Sequence, residues 1–190
     1  MRKLVFALAL TAAFAASAKN HIAFVNVGGA IEEDLFARTV TNELGTVIRL
    51  NYALEKADAI NIPDLIGKAS MGYPKSERQL AVYFVDSKDL SPSVICPSYF
   101  AIVNVRGLKK DADAKKYAMR VKKMVLKGLA FACGFGANQD VGRCVMGAGS
   151  FESLQGIDGT SASYSPFCYF PLQDYLNVRG LLDDRPPFEE

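Results

Sequence analysis

The chain has 190 residues, half of them hydrophobic, and it carries 22 basic and 20 acidic side chains. A charge balance this even gives no indication of a nucleic-acid partner or of any other strongly charged partner. The length and the apolar content suit one domain with a substantial core. No stretch after the N-terminal one is apolar enough to cross a membrane.

The first 18 residues have the pattern of a secretory signal peptide. Two basic residues precede an apolar run over 4–16, and Ala16-Ser17-Ala18 has the small side chains that signal peptidase recognises. The apolar run is too short for a membrane anchor, and the alternative is a buried N-terminal helix. The sequence therefore predicts cleavage near Ala18 and a periplasmic or secreted domain that covers residues 19–190.

Strands and helices alternate in the first part of that domain. Residues 21–27 form a predicted strand that ends at the turn Gly28-Gly29. The helix that follows has acidic residues in its first turn and ends at Gly45. Further strands are predicted at 46–50, 79–85 and 99–105.

A long helix and a loop-rich segment make up the rest. Apolar residues recur every three or four positions over 111–132, and glycines are frequent after Gly134. A final helix is predicted over 172–182, and residues 185–190 have the composition of a frayed tail. The sequence thus predicts a single α/β (α+β) domain with a small mixed sheet, two main helices and a loop-rich C-terminal part.

Four cysteines are the next candidates for a structural or chemical role. They are Cys96, Cys133, Cys144 and Cys168. An even number of cysteines in an exported protein indicates disulfide bonds. Four cysteines allow three pairings, and their positions do not choose among them.

Several catalytic chemistries have no support in the sequence. The chain has one histidine, His21, so a serine or cysteine nucleophile would need that residue to fold back as its base. Gly28-Gly29 is followed by acidic residues and belongs to no phosphate-binding motif. These observations argue against a serine or cysteine hydrolase and against a nucleotide-binding protein.

Residues 79–175 resemble the catalytic part of the archaemetzincins, a family of metzincin-type zinc peptidases. In that family two strands and a long helix with His-Glu-x-x-His-x-x-Gly-x-x-His precede Cys-x-Met and a late Cys-x-x-Cys, and the second strand is the sheet edge. The corresponding segments here are, in order, LAVYFVDSKDL, YFAIVNVRGL, KGLAFACGFG, RCVM, SLQGID and FCYF. The resemblance implies a metzincin-like fold.

The resemblance also locates the family's zinc site. When the family's glycine is matched to Gly134, the three ligand positions fall on Lys127, Phe131 and Ala137, and the general base falls on Gly128. A register one residue later gives the ligand positions Gly128, Ala132 and Asn138 and the base Leu129. Catalytic zinc requires three protein ligands and an open position for water. Neither register provides them, which predicts a protein that is not an enzyme and binds no cofactor.

Two further parts of the family pattern remain in the sequence. Met146 matches the methionine turn that lies beneath the metal, and here it is predicted to fill the core. Cys144 and Cys168 match two of the four cysteines of the family's structural zinc site. Two thiolates cannot complete a tetrahedral site. The resemblance therefore favours one disulfide between Cys144 and Cys168 and a second between Cys96 and Cys133.

Basic residues follow one face of the long helix. Arg120, Lys123 and Lys127 fall within a narrow sector at about 100° per residue, and such a stripe is usually a solvated helix face. The resemblance implies instead that this face lines the substrate cleft. The three cations could then bind a peptide carboxylate or another anionic ligand.

Two hypotheses about function follow. The first is an exported, catalytically inactive, archaemetzincin-like binding or structural module of the cell envelope. The second is a metal-dependent peptidase or another hydrolase with unrecognised site residues. The acidic candidates for that second site are Asp86, Asp89, Glu152 and Asp158.

Overall fold

A computed structural model describes residues 20–64, 67, 80–88, 93–96, 100–138, 143–147 and 153–183, and only the backbone of 93–96. The predicted signal peptide and C-terminal tail lie outside these residues, as do Asp89 and Glu152. Within them, no helix is long and apolar enough to cross a membrane.

Five strands of the described chain form one mixed sheet in the order β2-β1-β3-β5-β4. The parallel strands β2, β1, β3 and β5 lie side by side, and β4 closes one edge antiparallel to β5. The strands are β1 (Ile22–Val27), β2 (Tyr52–Ala57), β3 (Leu80–Val85), β4 (Ser93–Cys96) and β5 (Phe100–Asn104). The predicted mixed α/β fold is confirmed.

The inner strands are apolar on both faces because both faces are covered. Phe24, Val82 and Val103 belong to the larger core cluster, on the side where the helices pack. Ala23, Val25 and other residues of the opposite face pack with Ile60 and Ile62, which follow β2. Continuous apolar runs of this kind are typical of parallel strands buried on both sides.

The helices are α1 (Glu33–Val40), a π-helical segment (Thr41–Ile48), α2 (Ala114–Ala132), α3 (Leu154–Gly159) and α4 (Pro166–Val178). Asp113 caps α2 by accepting a 2.7 Å hydrogen bond from the backbone N–H of Lys116. Pro166 occupies the first turn of α4, where its missing N–H costs nothing. The predicted long helix is confirmed as α2.

Three predicted elements differ from the structure. Residues 46–50 are not a strand, because the first helix continues through Gly45 as the π-helical segment and buries Leu44 and Ile48 four residues apart. The last helix begins at Pro166 rather than at 172, since that proline starts a helix instead of preventing one. The predicted edge strand 99–105 corresponds to β5, which is paired on both sides. On that side of the sheet the edge strand is β4.

Helix α2 packs closely against the sheet at Gly128. A Cβ atom on this residue would lie 2.5 Å from Cγ1 of Val82 and 3.2 Å from Cγ2 of Val103. No side chain fits there without a shift of β3 or β5. Gly128 therefore determines which face of α2 contacts the sheet.

We expect Gly128→Ala to lower the free energy of unfolding by about 1–2 kcal/mol. Alanine gains up to about 1 kcal/mol of helix propensity, but overpacking against Val82, a short β-branched side chain, costs about 1–3 kcal/mol. Urea denaturation measures the difference. Gly136→Ala is the control, because a Cβ atom there meets nothing within 4 Å. A stabilised Gly128→Ala variant would contradict this packing.

Candidate functional site

Helix α2 ends in a Schellman motif at the glycine that anchors the predicted register. Gly134 has φ of 89°. Its N–H donates to the carbonyl of Phe131 over 2.9 Å, and the N–H of Phe135 donates to the carbonyl of Ala130 over 2.9 Å. These are the two hydrogen bonds of that motif, in which glycine adopts the left-handed conformation most readily. Gly134 thus redirects the chain after the helix.

The predicted zinc-ligand positions differ in their exposure. Lys127 and Phe131 are buried four residues apart on α2, whereas Ala137 is exposed in the segment that follows Gly134. The predicted base position, Gly128, faces β3 and β5, so it cannot hold a glutamate directed at a metal. The same contact excludes the second register, in which Gly128 is itself a ligand.

Three basic residues of the predicted stripe on α2 are buried, which corrects the prediction of a solvated face. The side chains of Arg120, Lys123 and Lys127 are 2%, 5% and 0% exposed. The C-terminal part of the chain covers them. Burial of a cation is costly unless hydrogen-bonding partners replace water.

Arg120 is fully engaged in structural contacts. Its Nε and Nη2 atoms donate to the two carboxylate oxygens of Asp158, each over 2.7 Å. Its Nη1 atom donates to the carbonyls of Leu108 and Lys110 over 2.7 and 2.6 Å. A ligand anion would have to displace Asp158 from this guanidinium, and the anion-binding role of Arg120 stays a prediction.

Lys123 has a structural role as well. Its Nζ atom donates to the carbonyls of Ile157 and Asp158 over 2.8 and 3.2 Å. These carbonyls belong to α3, and a cation close to them is favourable. Lys123 thus holds α3 against α2, and its anion-binding role also stays a prediction.

Lys127 differs from these two cations in its protonation. Burial, followed by the nearby charge of Lys123, lowers the pKa of Lys127 to about 7. The amine is therefore close to half protonated at neutral pH.

The two acidic candidates that the structure describes, Asp158 and Asp86, are each engaged with an arginine. Hydrogen bonds from Arg120, assisted by Lys116, hold the pKa of Asp158 at about 2. The Oδ1 atom of Asp86 lies 3.7 Å from the Nη1 atom of Arg106 in an ion pair on the surface. No group of three or more histidine, cysteine, aspartate or glutamate side chains in the described residues could hold a metal ion.

Met146 and two of the cysteines lie together after α2. Met146 is buried in a turn closed by a 3.0 Å hydrogen bond from the N–H of Gly147 to the carbonyl of Cys144. The sulfur atoms of Cys144 and Cys168 are 3.3 Å apart. Both residues are free thiols, so the predicted neighbours meet without a covalent bond.

The second predicted disulfide is not present. Cys133 is a buried free thiol at the end of α2, and its burial raises the pKa of that thiol to about 12. The side chain of Cys96 lies outside the described residues. A thiol in such apolar surroundings is unreactive.

Comparison with solved structures identifies the architecture. The archaemetzincin of Methanopyrus kandleri superposes with a TM-score of 0.58 and 22% identity, over 85% of this chain and 98% of that chain. The archaemetzincin of Archaeoglobus fulgidus, solved with malonate, gives a TM-score of 0.53 and 16% identity, over 77% and 96%. The fold is archaemetzincin-like. No protein-family model and no curated protein matches the sequence.

The archaemetzincin-like fold corrects one prediction about function. The missing zinc ligands predicted that the chain is not an enzyme, but its structural neighbours are archaemetzincins, which are zinc metallopeptidases. That prediction is wrong, because it inferred a general absence of catalysis from one missing set of ligands. The chain is metallopeptidase-related in its fold.

We expect Asp158→Asn to lower the free energy of unfolding by about 3 kcal/mol, because it leaves the buried guanidinium of Arg120 without its counter-ion. Asp86→Asn is the control and should cost under about 1 kcal/mol, since its pair with Arg106 is on the surface. Chemical denaturation at pH 7 compares the two. Equal losses would contradict the structural role of Asp158.

The pH dependence of this contribution has a defined sign. The carboxylate of Asp158 has a folded-state pKa of about 2, below its ordinary value. Its contribution is therefore present above about pH 4 and is lost as the pH falls towards 2. The free energies of unfolding of the parent and of Asp158→Asn should accordingly differ above pH 4 and converge near pH 2. Chemical denaturation at a series of pH values measures both.

Lys127 should make the free energy of unfolding rise with pH. Between about pH 7 and pH 10 the unfolded chain holds a proton that the folded Lys127 has released, so the slope is positive, up to about 1.4 kcal/mol per pH unit. The difference between the parent and Lys127→Met, measured by denaturation across this range, should show that slope. Lys115→Met removes an exposed lysine of the same helix and is the control. A flat difference curve for Lys127→Met would contradict the buried amine.

Proposed function

We propose that this metallopeptidase-related protein is exported to the cell envelope and binds an anionic ligand, a peptide carboxylate in the first place, through Lys127. The observation that carries the proposal is the complete burial of Lys127 on α2, and the sequence resemblance matches this residue to the first zinc ligand of the family. A protonated amine there offers an anion what the metal offers in the relatives, which is positive charge beneath the cleft.

The environment of Lys127 favours an anion electrostatically. Lys123 lies close enough for its charge to lower the pKa of Lys127. Among the described residues, Asp158 has its carboxylate beside these cations. Arg120 and Lys116 already hold that carboxylate. A bound carboxylate would relieve the repulsion between Lys123 and Lys127. In a low-dielectric site that gain is larger than on the surface.

Burial sets a condition on this binding. The Lys127 side chain has no exposed surface, so a ligand reaches its amine only when the residues above it move. The observed affinity is then the intrinsic affinity multiplied by the fraction of open molecules. Weak binding that depends on Lys127 is the expected behaviour.

A relative suggests the probe. The archaemetzincin of Archaeoglobus fulgidus was solved in complex with malonate, a small dicarboxylate. Malonate carries the carboxylate group that we propose as the ligand, and it has no other group that would bind to protein. A short peptide with a free C-terminus is the second probe.

Export rests on the N-terminal sequence pattern. A basic start, an apolar run over 4–16 and Ala16-Ser17-Ala18 support cleavage after Ala18 and a periplasmic or secreted domain. Sequencing the N-terminus of the protein recovered from the cell envelope and the medium should yield Lys19. Recovery of the intact chain from the cytoplasm would refute export.

Malonate binding should depend on Lys127 and on pH. Above about pH 7 the amine loses its proton, so the association constant should fall by roughly tenfold per pH unit. Isothermal titration calorimetry at constant ionic strength measures this, and binding near pH 7 to 8 should take up a fraction of a proton. Lys127→Met should abolish the binding, because methionine fills a similar volume without a charge.

Lys115→Met is the matched control and should bind malonate as the parent does. Equal binding by the parent and Lys127→Met, or binding that strengthens with pH, would refute the proposal. The peptide probe is analysed by mass spectrometry in the same samples, with and without added zinc. The mass of the peptide distinguishes binding from cleavage, which is necessary because peptidases also have this fold.

A further inference from the structure

The two neighbouring thiols form a site that neither the fold nor the proposed ligand explains. The sulfur atoms of Cys144 and Cys168 are 3.3 Å apart, and the residues are 24 positions apart in the sequence. Cys144 lies in the buried turn that contains Met146, and Cys168 lies in the first turn of α4. Two sulfur atoms at this distance need only a small rotation of their side chains to bond.

Hydrogen-bond donors surround this pair of sulfurs. The backbone N–H groups of Met146 and Ser165 both point at the sulfur of Cys144 over 3.4 Å. The side-chain amide of Asn138 donates to the sulfur of Cys168 over 2.8 Å. Donors of this kind stabilise a thiolate. The pair is therefore built to hold one negative charge between its sulfurs.

The two sulfurs share that charge unequally. Burial raises the pKa of the Cys144 thiol, but the backbone donors of Ser165 and Met146 outweigh it, so the pKa lies below the ordinary value. Burial and the neighbouring Cys144 raise the pKa of Cys168 to about 11. Cys144 is fully buried, whereas Cys168 is partly exposed. One thiol is thus accessible and the other is activated.

We propose that Cys144 and Cys168 form a reversible dithiol–disulfide couple that exchanges with an external disulfide, carried by a small thiol oxidant or by a dithiol protein. The accessible Cys168 reacts first, and the buried Cys144 resolves the intermediate. The inference does not depend on the anion-binding proposal, since it uses other residues and another reaction.

The chemistry balances in two exchange steps. Cys168 passes its proton to the neighbouring thiolate of Cys144 as its sulfur attacks the external disulfide, which forms a mixed disulfide and releases one thiolate; this thiolate takes the proton from Cys144. The thiolate of Cys144 then attacks the sulfur of Cys168 and releases the second thiol. The protein loses two hydrogens and two electrons, and the external disulfide becomes two thiols. An excess of external thiol reverses both steps.

Oxidation would join two parts of the molecule that meet without a covalent link. Asn138 donates its backbone N–H to the carbonyl of Met146 over 2.8 Å and its side chain to Cys168. The disulfide would fix α4 to the Met146 turn and would thereby restrain the segment that follows α2. Oxidation of the couple would therefore restrain the chain next to the C-terminal end of α2, the helix that carries Lys127.

Glutathione buffers with graded ratios of the oxidised and reduced forms test the couple in the folded protein. Differential alkylation and peptide mapping should find one disulfide, between Cys144 and Cys168, which forms under oxidising buffer and disappears under reducing buffer without denaturant. The oxidised parent should melt at a higher temperature than the reduced parent.

Single variants separate the two roles. Cys144→Ser should trap Cys168 as a stable mixed disulfide with glutathione, because no resolving thiol remains. Cys168→Ser should react with oxidised glutathione at least roughly tenfold more slowly than the parent, because the remaining thiol, Cys144, is buried. Cys133→Ser is the matched control for a buried thiol outside the pair and should behave as the parent.

Three results would overturn the proposal. One is a disulfide that uses Cys96 or Cys133, and another is the absence of any disulfide in oxidising buffer. The third is a disulfide between Cys144 and Cys168 that reduced glutathione opens only after the protein is denatured, which would make it a structural bridge.

Discussion

The close packing of α2 onto the sheet at Gly128 is the constraint on which the rest of the structure depends. With 3.6 residues per turn, one residue fixed against β3 and β5 fixes the rotation of the whole helix. The face that carries Lys127 is then turned away from these strands and towards the C-terminal part of the chain. A side chain at Gly128 would separate helix and sheet, because Val82 lies where its Cβ atom would be.

Once the helix is fixed, its buried cations organise the segment that follows. Arg120 uses Asp158 and two carbonyls, and Lys123 uses the carbonyls of Ile157 and Asp158. A buried charge is tolerated only when such partners replace water. The loop-rich C-terminal part of the chain is therefore attached to α2 by hydrogen bonds that the two cations donate to its carbonyl groups and to the carboxylate of Asp158. The hydroxyl of Tyr164 adds a hydrogen bond to the carbonyl of Leu126.

Lys127 remains the unusual residue of this face. Its burial lowers its pKa to about 7, so keeping this amine buried costs the folded protein stability below about pH 10. A strongly shifted pKa of a buried group is a common feature of functional sites.

The sequence by itself determined the strands β1, β3 and β5, the long helix and the resemblance to the archaemetzincins, whereas β2 and β4 were not predicted. These rest on local signals, which are continuous apolar runs, helical periodicity, and a glycine at Gly134 that ends a helix. It also brought Cys144 and Cys168 together correctly, although it predicted a bond where the structure has two thiols.

Only the tertiary structure decided how the basic stripe of α2 is used. Helical spacing places Arg120, Lys123 and Lys127 on one face, but it does not say what covers that face. Partners such as Asp158 come from 38 residues away in the sequence. The π-helical segment, the early start of α4 and the edge position of β4 were missed for a related reason. In each case packing against distant residues overrides the local preference of the chain.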